Sequence, residues 1–582
     1  MVLEGDSQRR SMMRIGKLSR ITISLLLLIL VACGTIGAAT WEKGGAQKLK
    51  HVFGVIQDRQ SQGIDVSPIV PYLKTVRGLT RHGRGKDATA TALDARTVLA
   101  ELKPFPPVPL VSEVRVNASA TGEFIPHLAG NIVAQDFYND PRLERFFREI
   151  GPGLVQVKLF LADLNEEHTN YQFLRKGAIW EETIRRIHRE GGRVMLHFRN
   201  VPRRLTADPS VNPPNKPYTG KAPLTPEGDV EWYNIVDEVI THFARDPETR
   251  FDMAQAIGEP NIGTNWYDPA DPKYPRPKNS AAFARFFQMT VEASHKADPD
   301  ILVGGPTIWF STNDENWWDG FLGTLSRENV PLGFVSVHIY DANYGIWDRG
   351  VALARRKMNQ YGYGDLPLVM TEWNVNISHD LPPSIKRTHL RAAHAVTGFL
   401  RVLDQRLDHT YFYIGPGRRS QGLRPGIERN AGLLFLRNGT AVATPAYNAF
   451  RLFTMLRGAA RLPAKTNDPR IQVVAGRDKD EVLVLLANYT PLIRDFKSRS
   501  IAYREPDWDE TTRLQLRIDA LPFDTYHIER YRIDREHANI HTLGARGADL
   551  GAPDRDSGRG RVFEETIEIP AYGVTLLRFS GR

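Results

Sequence analysis

Two short stretches of the sequence each place a glutamate at the end of an apolar run. Glu259 follows the run FDMAQAI (251–257) in the stretch IGEPN, and Glu372 ends the run LPLVMTE (366–372), which continues as WN. A carboxylate at such a position must be paired, hydrogen-bonded or catalytic, because burying an unpaired charge is costly. Two carboxylates that face one cleft can cleave a glycosidic bond, since one protonates the departing oxygen while the other attacks the anomeric carbon or directs water to it.

The elements that would bring these glutamates together are strands separated by helices. Apolar runs of strand length alternate with amphipathic stretches such as WEETIRRIHRE and SAAFARFFQMTVEASHKAD, which is typical of a parallel sheet covered by helices. With a first strand near residues 130–133 the repeat reaches eight, which favours an α/β fold with a closed (β/α)₈ TIM barrel over an open sheet. The other seven runs are LVQVKLF (154–160), RVMLHF (193–198), FDMAQAI (251–257), ILVGG (301–305), FVSVHIY (334–340), LPLVMTE (366–372) and TYFYIG (410–415).

The order of the runs predicts where the two glutamates lie. In a parallel barrel the functional side chains stand at the carboxyl ends of the strands. Glu259 ends the fourth run and Glu372 the seventh, so both can face the same mouth. His338 and Tyr340 are two residues apart on the sixth run and therefore share one face, from which either side chain could donate a hydrogen bond to Glu372.

These motifs resemble those of a known enzyme family. GEPN after the fourth run and TEWN at the end of the seventh are similar to the acid/base and nucleophile motifs of glycoside hydrolase family 39 in clan A, the group of β-xylosidases and α-L-iduronidases. VHIYD, AGLLFLRNGTAVATPAYNAFRLF and IPAYGVTLLRFS agree with this resemblance, which covers about residues 124 to 582. The resemblance implies a retaining enzyme without cofactor or metal, in which Glu259 is the general acid/base and Glu372 the nucleophile that forms a covalent glycosyl-enzyme.

The sequence departs from the family pattern at one position. The family usually has asparagine immediately before the acid/base glutamate, where it bonds the sugar 2-hydroxyl, and this chain has Gly258. Asn200, after the third run, could supply the missing contact; otherwise the sugar differs or the enzyme is weakened. The other side chains expected at the substrate are Asn261, His338, Tyr340, Trp373 and Trp266. Trp309 and Tyr413 are further aromatic candidates for a sugar platform, and for any one of Trp266, Trp309 and Tyr413 ordinary core packing is favoured over that role.

Two flanking regions complete the predicted organisation. Short strands set among Gly, Pro, Asp and Asn turns predict an all-β sandwich at 456–582, after a catalytic domain at 112–455. Residues 34–111 end in the proline-rich KPFPPVPL and are interpreted as a tether with little core of its own, although the spacing of apolar residues predicts a short helix within 88–102.

Residues 1–33 resemble a lipoprotein signal peptide. A basic segment precedes the apolar run from Ile21 to Ala32, which is short for a bilayer span, and the stretch LVAC resembles a bacterial lipobox ending at Cys33. The prediction is an exported protein, anchored to a membrane through a lipid on Cys33; Gly34 favours the outer membrane if the organism is Gram-negative. Glu4 and Asp6 do not suit a signal peptide, so translation could begin at Met12 or Met13.

The composition narrows the set of partners. The formal net charge is +9, but Lys and Arg are scattered and no nucleic-acid-binding motif is present, which argues against nucleic acid as the partner. An oligo- or polysaccharide is the expected substrate, the basic charge balance favours an acidic one, and the sequence does not indicate an oligomeric state. The leading hypothesis is a lipid-anchored retaining glycosidase acting on an extracellular or cell-surface polysaccharide. The alternatives are an inactive glycan-binding lipoprotein, motivated by Gly258, and a transglycosylase in exopolysaccharide remodelling.

Overall fold

The fold was obtained as a computed structural model of the whole chain. The structure describes residues 52 to 581 with gaps. The gaps are residues 53, 57, 61, 63, 70–71, 74–75, 77–84, 103–104, 133–141, 160–176, 199–200, 203–204, 206–223, 262–279, 310–314, 376–387, 414–415, 418–431, 438–439, 493, 498–499 and 504.

The region interpreted as a tether has a hydrophobic core. Helix α1 (Gly85–Glu101) confirms the predicted helix, with its start three residues earlier, and a 3₁₀ turn at Ser67–Ile69 precedes it. The prediction that residues 34–111 have little core is wrong for the described part, because apolar side chains from both sides of the 77–84 gap bury one another. We call this group the N-terminal cluster: Val52, Ile56, Val66, Ile69, Leu73, Val76, Ala88, Ala92 and Leu99.

Strand β1 (Ser112–Asn117) belongs to the sandwich and not to the barrel. It pairs in parallel with a strand at Thr511–Asp519 and antiparallel with one at Ala464–Thr466. The predicted boundary at residue 112 therefore assigns this strand to the wrong domain. Its alternating burial explains the pairing, since Val114 and Val116 lie in the core between the two sandwich sheets.

The barrel is a parallel sheet with the predicted strand order. Seven strands are hydrogen-bonded in sequence order, and the described part of the eighth, Ile132, closes the ring: it forms a parallel bridge with Phe412 and accepts a hydrogen bond from the Gln156 amide at 2.9 Å. This confirms the predicted barrel. The seven strands are β2 (Leu154–Leu159), β3 (Arg193–Phe198), β4 (Met253–Gln255), β5 (Leu302–Trp309), β6 (Phe334–Tyr340), β7 (Leu368–Asn374) and β8 (His409–Phe412).

Helices cover the outside of the barrel because each carries an apolar stripe. The helix Pro226–Ala244, for example, begins with Thr225, which accepts a hydrogen bond from the Gly228 amide, and buries Trp232, Ile235 and Val239 on one face. The barrel helices are α2 (Glu144–Ile150), α3 (Gly177–Arg189), α4 (Pro226–Ala244), α5 (Ser280–Ala297), α6 (Glu315–Arg327), α7 (Tyr344–Gln360), α8 (Leu390–Asp404) and α9 (Pro445–Thr454).

The inside of the barrel changes from apolar to charged along the strands. The lowest layer is an apolar plug. In the next layer, two residues further along β2 and β4, the Gln156 side-chain amide donates to Gln255 Oε1 at 3.3 Å. Lys158 on β2 and His338 on β6 form the layer after that, at the carboxyl ends of the strands. The fold thus directs its buried charges to one end. The plug consists of Leu154, Met195, Met253, Phe334, Val369 and Tyr411.

The C-terminal domain is the predicted sandwich of two sheets. Its strands and helix are β12 (Ala460–Arg461), β13 (Ala464–Thr466), β14 (Ile471–Arg477), β15 (Glu481–Asn488), β18 (Thr511–Asp519), β19 (Thr525–Ile533), α10 (Ile540–Leu543), β20 (Asp554–Arg559), β21 (Phe563–Pro570) and β22 (Val574–Gly581). With β1, these strands form two sheets in the orders β13-β1-β18-β21 and β12-β14-β15-β22-β19-β20. The remaining strands form two small sheets, β9 (Pro416–Gly417) with β10 (Leu434–Arg437) and β11 (Thr440–Ala443), and β16 (Arg494–Lys497) with β17 (Ser500–Tyr503).

The sandwich contacts the end of the barrel at which the charged layer lies. The Tyr489 hydroxyl donates to the Ala342 carbonyl at 2.6 Å, and His389 Nε2 donates to the Ala571 carbonyl at 2.9 Å. Within the described residues, none of the helices combines the length and the hydropathy needed to cross a bilayer.

Candidate active site

Glu372 lies at the end of β7 with both of its oxygens occupied. The Lys158 ammonium donates to Oε1 and the Tyr340 hydroxyl donates to Oε2. The side chains of Lys158 and Glu372 are only 1% and 6% exposed. A buried carboxylate that accepts from a cation on one oxygen and from a hydroxyl on the other is fixed in its plane.

Tyr340 remains a hydrogen-bond donor at every working pH. Burial, and next the negative charge of Glu372, raise the pKa of the Tyr340 phenol well above its usual value of 10. Its ring meets those of His338 and Tyr413 edge to face, with centroids 6.5 and 6.2 Å away. The phenol therefore donates to the carboxylate from a fixed direction.

Glu259 is placed by an unusual backbone conformation. Its φ is +58°, in the left-handed region that disfavours residues with a side chain, and its amide donates to the Thr307 carbonyl at 2.8 Å. Such strain is costly by about 1–3 kcal/mol and is found most often at functional sites. The conformation brings Glu259 Oε1 to 3.0 Å from His338 Nδ1.

His338 stands between the two glutamates. Its Nδ1 lies 3.0 Å from Glu259 Oε1 and 3.6 Å from Glu372 Oε2, and its side chain is fully buried. The hydrogen bond of His338 thus goes to Glu259, whereas Lys158 and Tyr340 supply the donors to Glu372. Within the described residues, Nε2 of His338 has no hydrogen-bond partner, so the ring contacts the two glutamates through Nδ1.

The two carboxylates are close enough for one sugar ring to lie between their reactive oxygens. One oxygen of Glu259, one of Glu372 and a ring nitrogen of His338 all lie within 4.8 Å of one another. Three such donors could hold a metal ion, but the Lys158 ammonium already occupies Glu372 and would repel a cation. The arrangement suits acid/base and nucleophilic chemistry better than metal binding.

Lys158 is the residue that sequence reasoning missed. A signal for it exists in the run LVQVKLF, in which Gln156 and Lys158 alternate with valines and therefore share one face of the strand. Lys158 Nζ also lies 4.7 Å from the centre of the Tyr413 ring, a cation–π distance that fixes the ammonium from a second side.

We expect Lys158→Met to lower kcat by about 10²-fold, because Glu372 loses one of the two donors that orient it and misplacement of a reacting group costs roughly that much. Lys158→Arg keeps the charge and should retain more activity than Lys158→Met. Steady-state kinetics on an aryl glycoside measures both variants. Equal activity in the methionine and arginine variants would show that the charge is unimportant.

The structure places the other predicted site residues in different environments or does not describe them. Trp373 is fully buried and packs edge to face against Trp347 and Phe412 on the helix side of β7, so the prediction that it contacts substrate is wrong. Its neighbour Glu372 takes the inner face, and side chains on a strand alternate. Asn261, two residues after Glu259, is buried near the strand end. Asn200, Trp266 and Cys33 lie outside the described residues, and the side chain of Trp309 is likewise not described.

A barrel with one carboxylate after β4 and a second, buried carboxylate near the end of β7 is the framework of a glycoside hydrolase, and comparison with known proteins supports this class. The model of glycosyl hydrolases family 39 matches residues 215–554, more than half of the chain, and the protein belongs to that family.

The relatives differ in how much of this chain they match and in their sequence identity to it. A β-xylosidase of Geobacillus stearothermophilus is 26% identical over 196 residues, which are 30% of this chain and 36% of that protein, so the match spans about a third of the relative. The GH39 enzyme from Xanthomonas axonopodis pv. citri has a TM-score of 0.64 at 15% identity, covering 82% of this chain and 98% of that one. A monomeric β-xylosidase from Caulobacter crescentus has a TM-score of 0.64 at 15% identity, covering 80% and 99%. These structures share the fold.

Proposed function

We propose that this protein is a retaining glycoside hydrolase that cleaves O-glycosidic bonds of an extracellular or cell-surface polysaccharide by double displacement. The observation that supports this proposal is the distance of at most 4.8 Å between one oxygen of Glu259 and one of Glu372. Retaining enzymes hold their carboxyl groups about 5–5.5 Å apart, whereas inverting enzymes need about 6.5–9.5 Å to admit a water molecule.

In the first step Glu372 attacks the anomeric carbon while Glu259 gives its proton to the departing oxygen. The bond between the anomeric carbon and that oxygen breaks, and an ester to Glu372 forms. In the second step Glu259 takes a proton from water, whose oxygen attacks the same carbon, and Glu372 leaves as a carboxylate. Lys158 and Tyr340 hold Glu372 in the attacking orientation, and His338 holds Oε1 of Glu259.

The stereochemistry of the first product tests the mechanism. Because relatives include β-xylosidases, an aryl β-D-xyloside is the first probe, followed by a panel of neutral and uronate-containing polysaccharides. Proton NMR in the first minutes of reaction should show the β-anomer of the released sugar, before mutarotation. Initial release of the α-anomer would contradict a double displacement. Redistribution of chain lengths without new reducing ends would indicate transglycosylation, and binding without turnover would indicate an inactive glycan-binding protein.

The proposed location rests on the sequence around Cys33. A basic segment, an apolar run and the stretch LVAC precede Gly34, and we propose that the cysteine is acylated and anchors the enzyme to the cell envelope. The Cys33→Ser variant expressed from the full gene should no longer incorporate labelled palmitate and should leave the membrane fraction. Unchanged membrane association and labelling would contradict the anchor.

A further inference from the structure

Three residues after Tyr340 form a buried loop at the mouth of the barrel. This rim loop, residues 341–343, joins β6 to α7, and Asp341, Ala342 and Asn343 are all buried. Buried backbone polar groups require hydrogen-bond partners, and a loop cannot supply them all from its own residues. The groups that contact the rim loop therefore hold the chain directly after Tyr340 in place.

Three distant parts of the chain supply these contacts. From α8, His394 Nε2 donates to the Asp341 carbonyl at 3.1 Å. From the sandwich, the Tyr489 hydroxyl donates to the Ala342 carbonyl at 2.6 Å. From the region before the barrel, the Asp65 carboxylate accepts a hydrogen bond from Asn343 Nδ2. The rim loop is thus the point where the barrel, the sandwich and the N-terminal part of the chain meet.

The side-chain amide of Asn343 explains why its partner at position 65 is a hydrogen-bond acceptor. Its Oδ1 accepts from the Gly345 amide at 2.8 Å and caps the first turn of α7. Its Nδ2 must then donate, and a carboxylate is a strong acceptor for it. Asn343 also donates its own amide to Asp341 Oδ1 at 2.9 Å, so one side chain links the cap, the loop and Asp65.

Asp65 is itself held in place by the N-terminal cluster. Its neighbours Ile64 and Val66 are buried, and Val66 packs within the cluster. At the other end of the same region, Glu101 Oε2 at the end of α1 lies 3.4 Å from Arg349 Nη1 on α7. The region therefore contacts α7 at two points, one of which is the residue that caps it.

We propose that Asp65 is a positioning residue of the hydrolase, which acts through Asn343 and the rim loop to aim the Tyr340 hydroxyl at Glu372. Asn343 is three residues from Tyr340 and its amide donates to Oδ1 of Asp341, the residue directly after Tyr340, so a displaced Asn343 disturbs the end of β6. The inference rests on the proposed role of Glu372 as the nucleophile. It gives the region between the signal peptide and the barrel a part in catalysis.

A reciprocal exchange of the two side chains tests the contact. Asn343→Asp keeps the oxygen that caps α7 but sets two carboxylates against each other, and Asp65→Ala removes the acceptor. Either single variant should lower kcat on an aryl β-D-xyloside by about tenfold with KM changed less than about twofold, a barrier change near 1.4 kcal/mol. The double variant Asp65→Asn with Asn343→Asp restores the pair in reverse and should recover kcat to within about twofold.

Two further measurements separate positioning from a general loss of stability. In a Tyr340→Phe background, Asp65→Ala should cost no further kcat, because the group through which Asp65 acts is already absent. Hydrogen exchange of the peptide 338–347 should be faster in Asp65→Ala and return to the wild-type rate in the exchanged pair. The matched control is Glu101→Gln in the same region, since its exposed ion pair contributes little.

Full kcat in Asp65→Ala, an exchanged pair no better than Asn343→Asp alone, or costs of Asp65→Ala and Tyr340→Phe that multiply would each overturn the proposal. If the wild-type protein hydrolyses no aryl glycoside or polysaccharide, the proposed function has failed. The hydrogen exchange of the rim loop then still decides whether Asp65 holds it, because that measurement needs no substrate.

Discussion

Glu372→Gln is expected to abolish turnover, with kcat reduced by about 10⁵- to 10⁶-fold, the scale on which loss of a catalytic nucleophile acts. Glutamine has nearly the shape of glutamate but cannot form the glycosyl ester. Steady-state kinetics on an aryl glycoside measures the loss, and an activated 2-deoxy-2-fluoro glycoside should label the wild-type protein at Glu372 and leave the variant unlabelled. The control is Glu315→Gln, an exposed carboxylate at the start of α6, which should remain fully active.

The same substitution also has a consequence for stability. Lys158 is 1% exposed and would lose the carboxylate that neutralises it. Breaking a buried ion pair from one side costs about 3–5 kcal/mol, because an uncompensated charge remains inside the protein. The melting temperature of Glu372→Gln should therefore fall, and Lys158→Met in the Glu372→Gln background should raise it again. A double variant less stable than Glu372→Gln alone would contradict this role for the Lys158 charge.

Much of the barrel can be predicted from the sequence because its strands are buried on both faces. Continuous apolar runs such as RVMLHF and FVSVHIY match β3 and β6 residue for residue. The ends of shorter strands are harder to predict. The run 251–257 contains a strand of only Met253–Gln255, because the chain leaves the sheet to place Glu259 at positive φ. Neither the length of an apolar run nor its composition encodes that turn.

The two errors at the site have one physical cause. Sequence adjacency to a glutamate suggested that Trp373 contacts substrate, but alternation along β7 sends it into the helix layer against Trp347 and Phe412. The same alternation, applied to Gln156 and Lys158, would have placed the lysine inside the barrel. At a barrel mouth, the face of the strand on which a residue lies predicts whether it reaches the site better than its distance along the chain from a motif does.

The pairing of strands that are far apart in the chain could not be predicted from the sequence. The alternation of SEVRVN predicts a strand, yet nothing local indicates that its partner is β18, some four hundred residues later. Likewise a proline-rich stretch suggested a tether, whereas the residues before it form the N-terminal cluster. The pairing of β1 depends on which surfaces of the folded domains meet, and the N-terminal cluster on side chains that meet from both sides of the 77–84 gap.

The activity of Glu259→Ala is expected to depend on the leaving group of the substrate, and a general structural defect would not produce this dependence. Glu259→Ala removes the proton donor, so glycosides with poor leaving groups should lose about 10²- to 10⁴-fold in kcat/KM. A 2,4-dinitrophenyl glycoside needs little help from an acid and should form the glycosyl-enzyme at nearly the normal rate. Its hydrolysis should then stall, because the general base for water is also gone, and a burst of dinitrophenol equal to the enzyme concentration should appear.

Azide provides the complementary test, since this anion attacks the glycosyl-enzyme without a base. Added azide should accelerate turnover of the dinitrophenyl glycoside by Glu259→Ala and yield the β-glycosyl azide, while having little effect on the wild-type protein. Because alanine meets the same backbone restriction as glutamate at φ +58°, the variant keeps the local strain and its melting temperature should change little. Equal losses for good and poor leaving groups, or an azide product of inverted configuration, would remove Glu259 from the acid/base role.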